Sequence, residues 1–157
     1  MAYLIDGNNL LGFLLGAGLR DPEARATLVG RLEAFQRQTR TRIALVFDGL
    51  PAADLPASVS EKFVILFPPE GESADSLIKE RILRSSDRRH LLVVSSDREI
   101  RAFAKARGAI ALPCDAFAKE MKKALRERRE ARSLEKRDET ATPLEIELWS
   151  KAFARRK

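Results

Sequence analysis

The sequence predicts an α/β fold built on a central, mostly parallel sheet of about five strands, with a helical extension at the C-terminal end. Three observations carry that prediction. Short, uninterrupted apolar runs alternate with longer stretches of helical periodicity. The runs lack polar alternation, as strands covered on both faces do. The 157 residues, 45% of them hydrophobic, suffice for one well-cored domain and are too few for two ordinary ones.

The strand runs are Ala2–Ile5, Ile43–Phe47, Phe63–Phe67, Leu91–Val94 and Ala109–Leu112. Between them, Leu28, Leu32 and Phe35 recur at helical spacing, as do Phe117, Met121 and Ala124, and Ile78 with Ile82 forms a shorter version. Helix starts are marked by Ser73, by the Ser96-Asp97-Arg98-Glu99 capping box with Ser96 at its head, and by Asp115 after Pro113. From Lys119 to Arg137 nine basic residues face four Glu, on a helix whose apolar face fades after Leu125. Asp138–Ala141 reads as a linker. Thr142-Pro143-Leu144-Glu145 then opens a terminal helix with Ile146, Trp149 and Phe153 on one face. Residues 1–131 are assigned to the domain and 132–157 to a basic linker and C-terminal helix.

Composition narrows the function. Twenty-nine Lys and Arg against twenty-three Asp and Glu give a net charge of +6, which suits a polyanionic partner, nucleic acid first. A single Cys and a single His exclude an internal disulfide framework and a Cys/His zinc site, so any metal is held mainly by oxygen. The longest nearly uncharged stretch, Asn8–Leu19, is too short for a membrane span, and Asp6 with no preceding basic residue is unlike a signal peptide. A soluble cytoplasmic protein with no membrane partner is expected. No glycine pattern matches a P-loop or a dinucleotide fingerprint. His90 reads as a solvated residue of a basic loop and Cys114 as a structural thiol.

In an open parallel sheet, ligands bind beyond the carboxyl ends of the strands. Asp6 ends the first strand, Asp48 the second, Asp97 follows the fourth, and Asp75 opens the helix after the third with Glu72 just before it. Singly, each acid has an ordinary explanation in a turn or a helix start. Together, four carboxylates on one edge repel one another unless a cation neutralises them, and one or two Mg²⁺ or Mn²⁺ ions suit all-oxygen ligation. Such clusters serve phosphodiester hydrolysis.

The stretches Leu4-Ile5-Asp6-Gly7-Asn8-Asn9-Leu10, Val46-Phe47-Asp48-Gly49, Gly71 to Ile78 and Val93 to Glu99 resemble, in order, the motifs of the NYN domain, a branch of the PIN-like nucleases, and most closely its YacP-like group. Gly108 to Phe117 and the Trp149/Phe153 pair also resemble that group. The resemblance implies a PIN-like three-layer α/β/α sandwich and a metal-dependent endoribonuclease. Asp6, Asp75 and Asp97 match the family's metal-binding acids, Asp48 the acid ending strand two, and Asn9 the motif Asn. Ser96 matches the small hydroxyl residue before the last acid. Asn9, Ser96 and Glu72 are thus candidates for positioning ligands, with Asp6, Asp48, Asp75 and Asp97 catalytic. Asn8 stands where relatives often have Tyr. Cleavage of messenger RNA at the ribosome is a role held by members of the YacP-like group.

Lys119, Lys122, Lys123 and Arg126 on the basic helix, with Arg20, Arg88, Arg89 and Arg98, are candidate RNA contacts. The segment Leu11–Gly18 reads either as a mobile wall of the site or as a packed helix start. Two other functions compete with the enzyme. One is a non-catalytic RNA- or ribosome-binding module. The other is a toxin-type PIN nuclease, against which the basic extension and the Asp-Gly-Asn-Asn opening argue.

Overall fold

The computed structural model describes residues 1–16, 21–51, 53–140, 144, 147–148 and 150–151, with 138–140 described by their backbone alone. Arg20, Ile146, Trp149 and Phe153 lie outside the described residues, so the expectations placed on them find no description here. The chain forms two compact units, Met1–Ala124 and Leu125–Lys157.

In the first unit the elements follow as β1 (Ala2–Asp6), α1 (Gly7–Leu15), α2 (Pro22–Thr39), β2 (Arg42–Val46), β3 (Ser58–Ser60), β4 (Phe63–Leu66), α3 (Ala74–Arg84), a single 3-10 turn (Arg88–His90), β5 (Leu91–Val94), α4 (Arg98–Ala106), β6 (Ile110–Leu112) and α5 (Cys114–Thr140), the last belonging to this unit as far as Ala124. The sheet has six strands in the order β3-β4-β2-β1-β5-β6. All pairings are parallel except β3 with β4. The five apolar runs all become strands. The sixth strand, Ser58-Val59-Ser60, escapes sequence reading because it is a three-residue polar edge with an irregular register.

Strand pleating sends alternate side chains to opposite faces. Leu4, Val46 and Val93 meet Ile78 and Ile82 of α3 and Ile100 and Ala104 of α4 in one buried cluster. On the opposite face Tyr3 packs edge-on against Phe35 of α2, with ring centroids 5.5 Å apart, and both touch Phe117 of α5, at 5.4 and 5.3 Å. The result is the expected α/β/α sandwich.

Several local expectations are corrected. α4 is capped by Asp97, whose side chain accepts from the Glu99 amide, so Ser96 is not its cap. α5 begins at Cys114, which puts Asp115 in its first turn and not at its cap. Helix α5 also runs through Asp138, Glu139 and Thr140, where a linker is expected; no Gly or Pro interrupts the chain before Pro143, and Glu, Lys and Arg are good helix formers. Leu11 to Leu15 is helical, with Leu10 and Leu11 fully buried and Phe13 exposed, so the described part of that segment is a helix packed at its start; Gly16 ends it in the left-handed conformation, and Ala17 and Gly18 lie outside the described residues. In the second unit, Leu144, Glu147, Leu148, Ser150 and Lys151 are helical, and Lys151 pairs with Glu147 at 2.9 Å. No helix among the described residues is long and apolar enough to cross a membrane.

Candidate active site

β1 lies at the centre of the sheet, where the chain order reverses: β2 and β4 are on one side, β5 and β6 on the other. A crevice opens at such a reversal beyond the carboxyl ends of the strands. Asp6 is the last residue of β1 and the N-cap of α1, its Oδ1 accepting from the Asn9 amide at 3.4 Å. The residue after it must be glycine: a Cβ on Gly7 would lie 2.8 Å from the Val46 carbonyl oxygen and from the Phe47 ring. This close approach brings the start of α1 against the end of β2 and fixes Asp6 between them.

Ser95 is the residue that sequence reading passes over. It follows β5, is wholly buried, and its Oγ donates to Asp6 Oδ2 at 3.1 Å while accepting from the Asp97 amide at 3.1 Å. One hydroxyl thus couples two of the predicted acids. The signal available in sequence is a hydroxyl placed directly after an otherwise apolar strand, but the adjacent Ser96 obscures it. Ser96 instead accepts from the Cys114 amide through its Oγ at 3.3 Å, and its own amide donates to Asn9 Oδ1 at 3.2 Å. Asn9 therefore ties α1 to the loop carrying Asp97.

Asp48 is exposed and its Oδ1 accepts from the Ala74 amide at 3.2 Å, which docks the start of α3 onto the end of β2. That contact places Asp75 one residue further on. Ser73 caps the same helix, accepting from the Ser76 amide at 3.2 Å. Glu72 is exposed in the preceding loop.

The electrostatics couple the acids. Burial raises the proton affinity of Asp6 against the opposing hydrogen bonds from Asn9 and Ser95, and the charge of Asp75 adds to the rise. Asp75 is raised by loss of surrounding water, then by the charge of Asp97; Lys79 opposes this, and Asp48 and Glu99 add to it. Asp75 thus feels the charge of both Asp97 and Asp48, and Asp6 feels Asp75. Lys79, one turn along α3, is held by Glu99 of α4 at 2.7 Å, and that contact raises its own proton affinity.

The donors are all oxygen, which fits a hard divalent cation. Among the described residues no three acidic, His or Cys side chains are gathered into a ready-formed metal-holding group.

Of the basic candidates, Arg98 is exposed in the first turn of α4, next to Asp97. Lys119, Lys122 and Lys123 are exposed on α5, and Arg126 is exposed in the second unit. Arg88 and Arg89 precede β5 and so stand at the amino edge of the sheet, away from the acids. The Arg88 guanidinium donates to the Ile82 and Leu83 carbonyls at 3.1 and 2.8 Å, finishing α3, which gives it a structural task. His90 is exposed and contacts Asp87 at 2.8 Å. Cys114 is buried, and burial raises its thiol further from ionisation. His90 stands at the amino edge, whereas Cys114 Sγ donates to Asn9 Oδ1 at 4.0 Å and the charge of Asp6 adds to the rise of its thiol.

Two predictions follow from this geometry. Ser95→Ala leaves a buried carboxylate oxygen and a backbone amide without their partner, so it is expected to cost about 1–3 kcal/mol, read by urea denaturation. The second concerns pH. The Asp6 and Asp75 carboxyls stand above their ordinary value of 3.8, so the folded chain binds their protons more tightly than the unfolded chain. Their contribution to stability is therefore greatest below pH 3.8 and declines as pH rises through the raised folded-state values. Asp75→Asn is expected to flatten that decline in EDTA and to raise the melting temperature at neutral pH by about 1–2 °C. An unchanged profile contradicts the crowding.

The model of the YacP-like NYN domain matches residues 3–156. A crystal structure of Rae1 (YacP) from Bacillus subtilis is 22% identical over 98% of this chain and 92% of that one, with a TM-score of 0.70. A tryptophan-to-leucine mutant of the same protein is 23% identical over 91% of this chain and 86% of that one, with the same TM-score of 0.70. No curated protein matches the chain.

Proposed function

Because this chain belongs to the YacP-like NYN domain family, one of the PIN-like nuclease families, we propose that it is a metal-dependent endoribonuclease whose site is the carboxyl edge of the sheet around Asp6, Asp75 and Asp97. The observation that carries the reading is the mutual charge of these acids across three separate elements, in a protein whose net charge is +6. Carboxylates crowd in this way at a cost that a bound cation removes.

Asp6, Asp75 and Asp97 are the residues that would hold one or two Mg²⁺ or Mn²⁺ ions. An ion held there supplies charge neutralisation for the phosphate and acidifies the attacking water. The chain's own residues set the geometry. Ser95 and the Asn9 amide hold the two oxygens of Asp6 in fixed directions, which keeps the carboxylate from turning away from the crevice. Asp48 acts as a positioning residue by anchoring the helix that carries Asp75. Asn9 and Ser96 hold the loop before Asp97. Glu72, exposed in the loop before α3, would meet ligand. The exposed Arg98, and Lys119, Lys122 and Lys123 on the part of α5 within the first unit, suit the phosphates of an RNA strand. In the reaction water adds to phosphorus, the phosphorus–oxygen ester bond breaks, and the leaving oxygen takes a proton.

The test uses a circular single-stranded RNA, which has no ends, beside a circular DNA of the same sequence, with Mg²⁺ or Mn²⁺. Linear RNA products with intact DNA are expected. Tight, salt-sensitive binding with no cleavage, repeated in the presence of translating ribosomes, supports the binding module instead.

A further inference from the structure

A cavity of about 300 Å³ lies at the amino edge of the sheet, at the opposite ends of the strands from the carboxylates. Its origin is a gap in side-chain size. On the face covered by α3, the inner positions are filled by Leu4 and Val46, whereas the outer positions of the same strands carry only Ala2 and Ala44, with Val64 beside Ala44 on β4. These small side chains leave an apolar floor beneath the last turn of α3. The rim is basic: Arg42, Lys62, Arg81 and Arg84 line it, against the single acid Glu61. Arg84 is engaged with Glu80 at 2.8 Å. Arg42, Lys62 and Arg81 have no ion-pair partner among the described residues. A second cavity of about 400 Å³ shares Arg42 and Lys62 and adds Arg40, with Asp87 its single acid and that acid in contact with His90 at 2.8 Å, so the basic side chains outnumber the acid along the edge.

An apolar floor in a cavity of about 300 Å³, bordered by three cations with no ion-pair partner among the described residues, suits a nucleotide: base against the floor, phosphate against the rim. We propose that this cavity is a nucleotide subsite that holds one nucleotide of an RNA strand away from the cleavage edge, with Ala2, Ala44 and Val64 under the base and Arg42, Lys62 and Arg81 on the phosphates. The inference rests on the reading that the chain acts on RNA. The neighbouring cavity gives the strand a path onward, which a free nucleotide does not need.

The test measures binding of a short labelled single-stranded RNA to the full chain in EDTA, across a salt series, with no cleavage required. The double variant Arg42→Gln/Lys62→Gln is expected to weaken binding about tenfold and to flatten the slope of log affinity against log salt by about 1.4, as the loss of two phosphate contacts to a single strand predicts. Ala44→Leu fills the floor and leaves every charge, so it is expected to weaken binding about tenfold with the slope unchanged. The double variant touches no core side chain, so it keeps the proposal open to refutation if Ala44→Leu unfolds, and Ala44→Val then tests the floor with a smaller addition. Unchanged affinity and slope in the double variant overturns the subsite. Loss in the double variant with a folded, fully active-binding Ala44→Leu also overturns it, because charge alone then explains the contact. Adenosine 5′-monophosphate as competitor separates the sources: weak displacement, far above the RNA's own Kd, is expected for one subsite of a strand, and displacement as tight as RNA assigns the cavity to a free nucleotide and overturns the strand. A chain that binds RNA through this cavity yet never cuts it leaves the subsite standing while removing the nuclease reading.

Discussion

Asp97→Asn is expected to lower kcat/KM for RNA cleavage by about 10²–10³-fold, the scale of losing one electrostatic stabiliser at a reacting centre. The melting temperature should stay close to that of the unsubstituted chain. The two expectations come from two different jobs of one side chain. Asp97 Oδ1 caps α4 by accepting from the Glu99 amide at 2.8 Å, and the amide oxygen of Asn does this equally well. What Asn lacks is the charge that Asp75 feels across the crevice. A control comes from the same helix: Glu99 is also acidic, but its carboxylate is engaged with Lys79 at 2.7 Å. Glu99→Gln should therefore change kcat/KM less than about threefold, in keeping with a mostly exposed ion pair. Equal losses in both variants would mean that general negative charge, and not the placed carboxylate, is responsible.

Phe117→Ala is expected to give the largest loss of stability, about 3–5 kcal/mol, with a fall in melting temperature of roughly 6–20 °C. Phe117 is wholly buried and touches both Tyr3 and Phe35, so its ring joins three elements: β1, α2 and α5. Removing it opens a cavity that the rigid sheet cannot collapse into, and two ring contacts are lost with it. Because this cluster lies on the face away from α3 and α4, RNA cleavage by the remaining folded fraction should be little altered at low temperature. Thermal denaturation followed by circular dichroism measures the first effect, and a cold cleavage assay the second. Cleavage lost in a folded Phe117→Ala protein would contradict the separation of the core face from the site.

Much of this was legible from residue order. Apolar runs mark strands buried on both faces, and an acid just beyond a parallel strand lies at its carboxyl end, so Asp6, Asp48, Asp75 and Asp97 could be assigned to one edge of the sheet without coordinates. What stayed hidden depends on register or on choices a single residue apart. Ser95 and Ser96 are adjacent hydroxyls; only the fold shows that Ser95 points inward to Asp6 while Ser96 meets the start of α5. Asp97 and Ser96 compete for one helix cap, and Asp97 takes it. Arg88 looks like a phosphate contact in a basic run, yet its guanidinium closes the carbonyls at the end of α3, a partner six residues back that composition does not reveal. The amino-edge cavity requires knowing that Ala44 pairs with both Leu4 and Val64. β3 has too few apolar atoms to announce itself.

The measurement that bears most directly on the central claim is cleavage of one labelled single-stranded RNA by EDTA-stripped protein to which Mn²⁺ is returned, with the Asp75→Asn variant alongside. Asp75 is the acid that feels both Asp97 and Asp48, so it is where the loss of one charge should matter most. The account predicts no cleavage without the ion, restored cleavage in the unsubstituted chain, and none in a folded Asp75→Asn protein. Cleavage that persists in EDTA, or that Mn²⁺ restores equally to Asp75→Asn, would contradict it.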